Sequence, residues 1–166
     1  MFLLRNKLDI PLVVIGEGGK YKQQVKDYIT QNGLENRIIF LSENQSAKSS
    51  NSFKSAIDFP AIYQLATAMI YPSFFEGFGI PVVEALWSKL PVITSNVSCL
   101  PEAGGNGAYY VSPVSAEEIA GGMKKIYSDK QFAEALVEKG WQQAQSFTTQ
   151  KCAASVMDVY KNCHCL

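Results

Sequence analysis

Five short apolar runs separated by helical patterns constrain this chain more than any other feature. Pro11-Leu12-Val13-Val14-Ile15 comes first, and Arg37 to Leu41, Ala68-Met69-Ile70-Tyr71, Pro91-Val92-Ile93-Thr94 and Tyr109-Tyr110-Val111 follow. The first run is continuous and β-branched, as in a strand buried on both faces; the last reads as a short edge strand. Between the runs, Tyr21, Val25, Tyr28 and Ile29 recur at helical spacing and Asn32-Gly33 supplies a stop. Asp58 and Pro60 open a helix through Ala66. Ser115-Ala116-Glu117-Glu118 is a capping box continued by Ile119, Met123, Ile126 and Tyr127, and two further helices are expected over Lys130 to Ser146 and Gln150 to Asn162. Alternating strands and helices joined by short turns predict an α/β fold, a parallel sheet with helices on both faces. Two stretches read as irregular: the polar run from Ser42 to Ser55, as an exposed mobile loop, and Leu100 to Gly105, as too rich in Gly and Pro.

A chain of 166 residues fits one domain. Fifteen basic residues balance fifteen acidic ones without a clustered basic stripe, which argues against nucleic acid as a partner. No apolar run reaches the roughly 20 residues that span a bilayer, and Met1 to Arg5 is too short for a signal peptide, so a cytoplasmic location is expected. Cys99, Cys152, Cys163 and Cys165 lack paired CxxC spacing, and no metal site is expected. The single histidine, His164, sits in what reads as a frayed tail, which excludes histidine-based triads. Asn44-Gln45-Ser46 and Asn96-Val97-Ser98 match glycosylation acceptors, read as accidental without a secretory signal.

The chemistry concentrates in Phe75-Glu76-Gly77-Phe78-Gly79-Ile80-Pro81-Val82-Val83-Glu84. Gly77 and Gly79 admit backbone angles closed to other residues and let a ligand approach the main chain, while Pro81 suits the first turn of a helix. Free N–H donors and the helix dipole favour an anion such as a diphosphate there. Glu84 falls about one helical turn inward and Glu76 just before the turn, so two hydroxyl-binding carboxylates flank the cradle. In parallel sheets ligands bind at the carboxyl ends of strands, so the turns after Ile15, Leu41, Tyr71 and Thr94 are expected to converge on one crevice. Gly16-Glu17-Gly18 also suggests a dinucleotide-dependent oxidoreductase, but the third glycine of that pattern falls at Tyr21, and Glu35 precedes the second strand. Each motif residue also has a plainer reading: Glu84 as a helix-dipole charge, Glu76 and Glu102 as loop charges, Ser73 as a turn cap, Phe74, Phe75 and Phe78 as packing, and the Tyr63 region as core.

From Ile10 to about Cys163 the chain resembles the carboxy-terminal, donor-binding domain of the retaining GT-B glycosyltransferases of family 4, the glycosyltransferases group 1 family. The pieces that carry the resemblance are Val14-Ile15-Gly16-Glu17-Gly18, Ile39-Phe40-Leu41, Ile62-Tyr63-Gln64-Leu65-Ala66, Tyr71-Pro72-Ser73, the Glu76 to Glu84 motif, Pro91-Val92-Ile93-Thr94-Ser95 and Leu100-Pro101-Glu102. Two glutamates eight positions apart around Gly-Phe-Gly match the family's E-x7-E signature.

The resemblance implies a Rossmann-like sheet forming one half of a GT-B fold, and a transferase moving a hexose, mannose or glucose, from a nucleoside diphosphate sugar to a saccharide or lipid-linked acceptor. Glu76 would contact the donor sugar near its reacting carbon, Glu84 would bind the nucleotide ribose, and the backbone from Gly77 through Phe78 and Gly79 to Ile80 would meet sugar and diphosphate. Ser73 joins this donor set, and Gly16 and Gly18, with Phe40 to Glu43, would lie by the base and ribose. No cofactor or metal is implied, the sugar nucleotide being substrate. The family's Gly-Arg pair and downstream Lys, which clamp the diphosphate, are not matched by Arg5 and Lys7. The 166 residues are therefore expected to be a fragment lacking the first strand and the amino-terminal acceptor domain, which would complete the cleft in cis. Alone it would bind donor weakly and catalyse nothing, and peripheral association with the inner membrane face is among the implied placements. A non-catalytic nucleotide-sugar-binding module is the alternative that stays open.

Overall fold

The computed structural model describes residues 10–16 and 18–163. Expectations placed on Met1 to Arg5, Lys7, Glu17, His164 and Cys165 lie outside those residues. The chain divides into two compact units, Met1–Phe59 and Pro60–Leu166.

In the first unit, β1 (Leu12–Val14) leads to α1 (Lys20–Gln31), and β2 (Ile38–Phe40) pairs in parallel with β1, Leu12 opposite Ile38. Ile29 from α1, Leu34 and Ile38 form the core, with Leu12, Val14, Val25 and Phe40 against it. The apolar face of α1 is narrower than its sequence pattern, since Tyr21 and Tyr28 are exposed and only Val25 and Ile29 pack. Val13 and Ile39, register partners on the pleat's other face, are each 43% exposed, so β1 is not buried on both faces.

The stretch from Ser42 to Ser55 is more ordered than its polarity suggests. A 3-10 turn at Leu41–Glu43 precedes two short helices, α2 (Gln45–Ser49) and α3 (Asn51–Lys54). The same polar residues that read as a loop are the caps: Asn44 accepts from the Ser46 and Ala47 N–H groups, and Ser50 from that of Phe53. Asn44, the first glycosylation-type asparagine, thus has a structural use.

In the second unit, α4 (Phe59–Leu65), whose first residue closes the first unit, leads to β3 (Met69–Tyr71), and α5 (Ile80–Trp87) connects β3 to β4 (Val92–Ser95). A helix α6 (Leu100–Gly104), with a proline in its first turn, occupies the stretch that read as irregular; proline is tolerated there because the first-turn N–H groups have no intrahelical acceptor. After a 3-10 turn at Gly105–Gly107 come β5 (Ala108–Val111), α7 (Ala116–Ser128), α8 (Lys130–Ala144) and α9 (Thr149–Cys163). The sheet runs β3-β4-β5, all parallel, so β5 is an edge strand as its sequence indicated and β4 is central. All four residues of β4 are buried. Among the described residues the strands thus form parallel sheets flanked by helices, two-stranded in the first unit and three-stranded in the second, the α/β class expected from the alternation.

Ile93, Val111, Ile126 and Leu136 form a core cluster of this unit, with Tyr109 and Phe132 meeting edge to face, ring centroids 6.1 Å apart. A fully buried aliphatic side chain such as Leu86 or Ile93 contributes about 1.5 to 3 kcal/mol. Helix α8 packs so closely on the 3-10 turn that a Cβ on Gly107 would lie 2.2 Å from the Gly140 Cα, so only glycine at 107 permits that approach, whereas a Cβ on Gly140 would press on Leu86 Cδ2 at 2.6 Å. The capping box is half formed. Ser115 Oγ accepts from the Glu118 N–H, but the Glu118 carboxylate reaches the Ser112 N–H at 2.7 Å, because the Ser115 N–H is already bonded to the Ser112 carbonyl. Residues 151–163 of α9 are all exposed. Among the described residues no helix is long and apolar enough to cross a membrane.

Candidate functional site

The Glu76–Glu84 motif links β3 to α5. Gly79 is the residue before α5, with φ 91° and ψ 39°, a left-handed conformation in which an L side chain is strained. It is also crowded: a Cβ there would lie 3.0 Å from Leu100 Cδ2 and 3.3 Å from Ala103 Cβ. Gly77 differs. Its φ is not positive, so the expectation of special backbone angles holds at Gly79 and not at Gly77. A Cβ on Gly77 would meet nothing within 4 Å, so what glycine leaves there is open space beside the main chain.

At the start of α5, Pro81 has no N–H, and those of Val82 and Val83 are bonded to the Gly79 carbonyl. The N–H groups of Gly77, Phe78, Gly79 and Ile80 have no acceptor among the described residues. The donor cluster is therefore made by the turn itself more than by the helix interior. Such clustered donors, with the dipole behind them, suit an anion.

The two carboxylates are each held by a tyrosine that sequence reasoning assigned to strand or core. Tyr71, the last residue of β3, donates its hydroxyl to Glu76 Oε1 at 2.6 Å. Tyr63, buried in α4, donates to Glu84 Oε2 at 3.3 Å. Burial, then the neighbouring glutamate, pushes each phenol up to about 12, so both remain protonated donors at neutral pH. Glu84 is the fifth residue of α5, beyond the first turn, which leaves little of the dipole reading.

The main chain of Glu76 has its own clasp. Its N–H donates to Ser98 Oγ at 3.3 Å, the Ser98 hydroxyl donates to its carbonyl at 3.0 Å, and the Cys99 thiol donates to the same carbonyl at 3.2 Å. Ser98 adopts φ 59°, a left-handed angle that costs a non-glycine residue roughly 1 to 2 kcal/mol. Neither Ser98 nor Cys99 was marked by the sequence, where Ser98 figured only in a glycosylation-type triplet. No spacing rule joins residues 22 positions apart; the available signal was the shared carboxyl edge of adjacent parallel strands. Thr94 Oγ1 ties the same two strands, donating to the Tyr71 carbonyl at 2.9 Å.

The remaining motif side chains divide. Ser73 donates to the Phe75 carbonyl at 3.1 Å and so closes the turn. Phe78 packs edge to face on Phe147, centroids 5.3 Å apart, whereas Phe74 and Phe75 are 67% and 81% exposed and do not pack as expected. Glu102 is exposed, and it is its carbonyl that is used, accepting from Gln143 at 2.8 Å. Gly104 and Gly105 are more than a flexible turn: Gly105 has φ 53°, and a Cβ on Gly104 would collide with the Tyr110 hydroxyl at 2.6 Å.

In the first unit, Gly16 has φ 148°, and its carbonyl accepts from Ser42 Oγ at 3.0 Å, so the turns after β1 and β2 meet. Gly18 is exposed, and a Cβ on it would press on the Lys22 Cβ at 3.0 Å. Beside them Glu43 binds Lys22 at 2.9 Å and Lys26 at 2.7 Å, and both ammonium groups lie over the Phe40 ring. Hydrogen bonds from Lys26 and then Lys22 hold the Glu43 carboxyl down at about 2. The resemblance implies a place by the base and ribose for Phe40 to Glu43; in the structure the Glu43 carboxylate is engaged by these two lysines.

A family model described as "Glycosyl transferases group 1" matches residues 2–143. The chain belongs to that family. Among curated relatives, it is 34% identical over 104 residues to O-antigen chain mannosyltransferase B of Escherichia coli, covering 63% of this chain and 27% of the relative. It is 32% identical over 115 residues to O-antigen chain mannosyltransferase RfbU of Salmonella typhimurium, covering 69% and 30%. The chain thus spans less than a third of the length of these two relatives. Among solved structures, it superposes on the C-terminal domain of the group 1 family protein LpcC from Francisella tularensis with TM-score 0.71 and 26% identity, covering 87% of this chain and 72% of that one. HepE from Anabaena in complex with UDP superposes with TM-score 0.79 at 20% identity, covering 96% and 43%, a likeness of fold.

Proposed function

We propose that the Glu76–Glu84 segment binds a nucleoside diphosphate hexose, and that a longer transferase carrying this domain moves the hexose to a saccharide or lipid-linked acceptor with retention of configuration. The observation that carries this reading is the pairing of two tyrosine-held carboxylates with an open, donor-lined turn between them. On this reading the N–H groups of Gly77 to Ile80 take the diphosphate, Glu76 accepts from hydroxyls of the sugar, and Glu84 accepts from the ribose. Each hydrogen bond to a carboxylate is worth roughly 1.5 to 3 kcal/mol. Ser73 shapes the turn from within. The reading assigns donor binding to protein groups alone, without a metal.

In the transfer step, the bond from the anomeric carbon to the diphosphate oxygen breaks with its electron pair going to the diphosphate, and the acceptor oxygen bonds to that carbon on the same face. The acceptor proton passes to the departing phosphate oxygen, so no protein nucleophile is consumed. The domain's contribution is to hold the donor in line and to stabilise charge developing on the diphosphate. Mannose is favoured over glucose because the curated relatives above are named mannosyltransferases, and a lipid-linked acceptor would place the enzyme at a membrane surface.

Glu76→Gln and Glu84→Gln test the division of labour in a full-length transferase carrying this domain. Transfer from GDP-mannose and UDP-glucose is expected to fall at least a hundredfold in Glu76→Gln with nucleotide affinity retained. Glu84→Gln is expected to weaken the nucleotide itself about tenfold, the equivalent of about 1.4 kcal/mol. Negligible effects of both substitutions would reduce the motif to scaffolding.

A further inference from the structure

Both ends of the Tyr71–Glu76 contact are anchored independently of each other. The Glu76 main chain is fixed by Ser98 and Cys99 from the loop after β4, with no help from its own side chain. Tyr71 is fixed as the last paired residue of β3, opposite Thr94, whose hydroxyl also bonds the Tyr71 carbonyl. With the two backbones set, the 2.6 Å bond from the phenol to Oε1 determines the rotation of the Glu76 carboxylate. A glutamate at a loop position otherwise has several rotamers open to it, and ordering them on binding weakens a ligand.

Resting on the donor-binding reading above, we infer that Tyr71 is a positioning residue for Glu76: its hydroxyl commits Oε1 and presents Oε2 to the sugar in one orientation. Burial keeps the phenol a donor, so the arrangement persists across the pH range in which a transferase works. Tyr63 stands in the same relation to Glu84 over a longer bond, 3.3 Å, and the two tyrosines thereby govern different parts of the ligand.

The inference separates sugar from nucleotide. Dissociation constants of the full chain for GDP, GDP-mannose, UDP and UDP-glucose give, for the preferred base, the extra affinity contributed by the hexose. Tyr71→Phe removes one oxygen; it is expected to leave affinity for the plain diphosphate within about twofold and to lower affinity for the sugar conjugate about tenfold. Adding Tyr71→Phe to Glu76→Gln is expected to change nothing further, because the bond no longer has its carboxylate. Tyr110→Phe is the control, since that phenol bonds the Gly105 and Pro101 carbonyls, outside the motif; it is expected to alter stability and not the ratio. In the parent chain the Tyr71 ring resonances should shift with the sugar conjugate and not with the plain diphosphate, a readout independent of whether the variant folds. If Tyr71→Phe weakens both ligands alike or neither, or if the ring resonances do not respond to the sugar, the positioning role is wrong and the donor-binding reading stands. If the parent binds none of the four compounds, and neither ADP nor ADP-glucose, the donor-binding reading itself falls, and this inference with it.

Discussion

Two alanine substitutions two residues apart should have opposite consequences. Gly79→Ala places a side chain on a residue at φ 91°, a conformational cost of roughly 1 to 2 kcal/mol. The new methyl would also sit 3.0 Å from Leu100 Cδ2 and 3.3 Å from Ala103 Cβ, side chains that are fully buried, so relief requires moving α6; overpacking of this kind costs about 1 to 3 kcal/mol. Reduced entropy of the unfolded chain offsets at most about 1 kcal/mol. The expected loss is therefore about 1 to 5 kcal/mol. Gly77→Ala has neither penalty, since its φ is not positive and nothing lies within 4 Å of the added carbon. Its stability should be unchanged or up to about 1 kcal/mol higher. That same open space is where a diphosphate would meet the turn's N–H groups, so donor affinity should drop about tenfold or more. Urea unfolding followed by tryptophan fluorescence reports on the second unit alone, because Trp87 and Trp141 both lie in it, edge to face with ring centroids 5.1 Å apart. Equal stability of Gly79→Ala and the parent, or an equal loss in both variants, would refute the reasoning.

Two ionisation experiments probe the contacts directly. In a phenolate absorbance titration, Tyr63, Tyr71 and Tyr110 should ionise late, near 12. Their folded values lie above the ordinary value of 10, so the stability they contribute is complete below pH 10 and is lost as pH rises from there toward 12; Glu76→Gln should bring Tyr71 partway down, burial being its larger cause. Glu43 has the opposite sign. Its folded value of about 2 lies below the ordinary 4.5, so its contribution is complete above that value and is lost as pH falls toward 2; carboxyl carbon NMR should show the late protonation, and Lys26→Ala should raise the midpoint.

Much of this architecture was legible because each described strand is a short, largely apolar run between helical patterns. All five strands fall within one residue of their sequence patterns, since runs such as Pro91 to Thr94 have few other ways to be buried. What escaped was capping: Asn44, Ser50 and a first-turn proline after Leu100 read as turn signals, although the same residues begin helices. Strand order within each unit was less legible, because alternation of elements predicts parallel pairing without saying which strands are neighbours. In the site, Glu76, Gly79 and Glu84 could be found from their spacing. Tyr63, Tyr71, Ser98 and Cys99 could not, since an aromatic in a buried run or a serine in a polar loop carries no mark of the carboxylate or carbonyl it meets across the fold.

The account stands on the segment from Glu76 to Glu84 recognising a sugar nucleotide. An NMR titration of the chain with GDP, UDP, ADP and their hexose conjugates tests that most directly. Shifts confined to the amides of Gly77 to Ile80, to Ser98 and to the Tyr63 ring, joined by the Tyr71 ring with the hexose conjugates alone, are the predicted result. An unchanged spectrum with every one of these compounds at millimolar concentration, with NAD producing shifts at Gly16 and Gly18 instead, would contradict it.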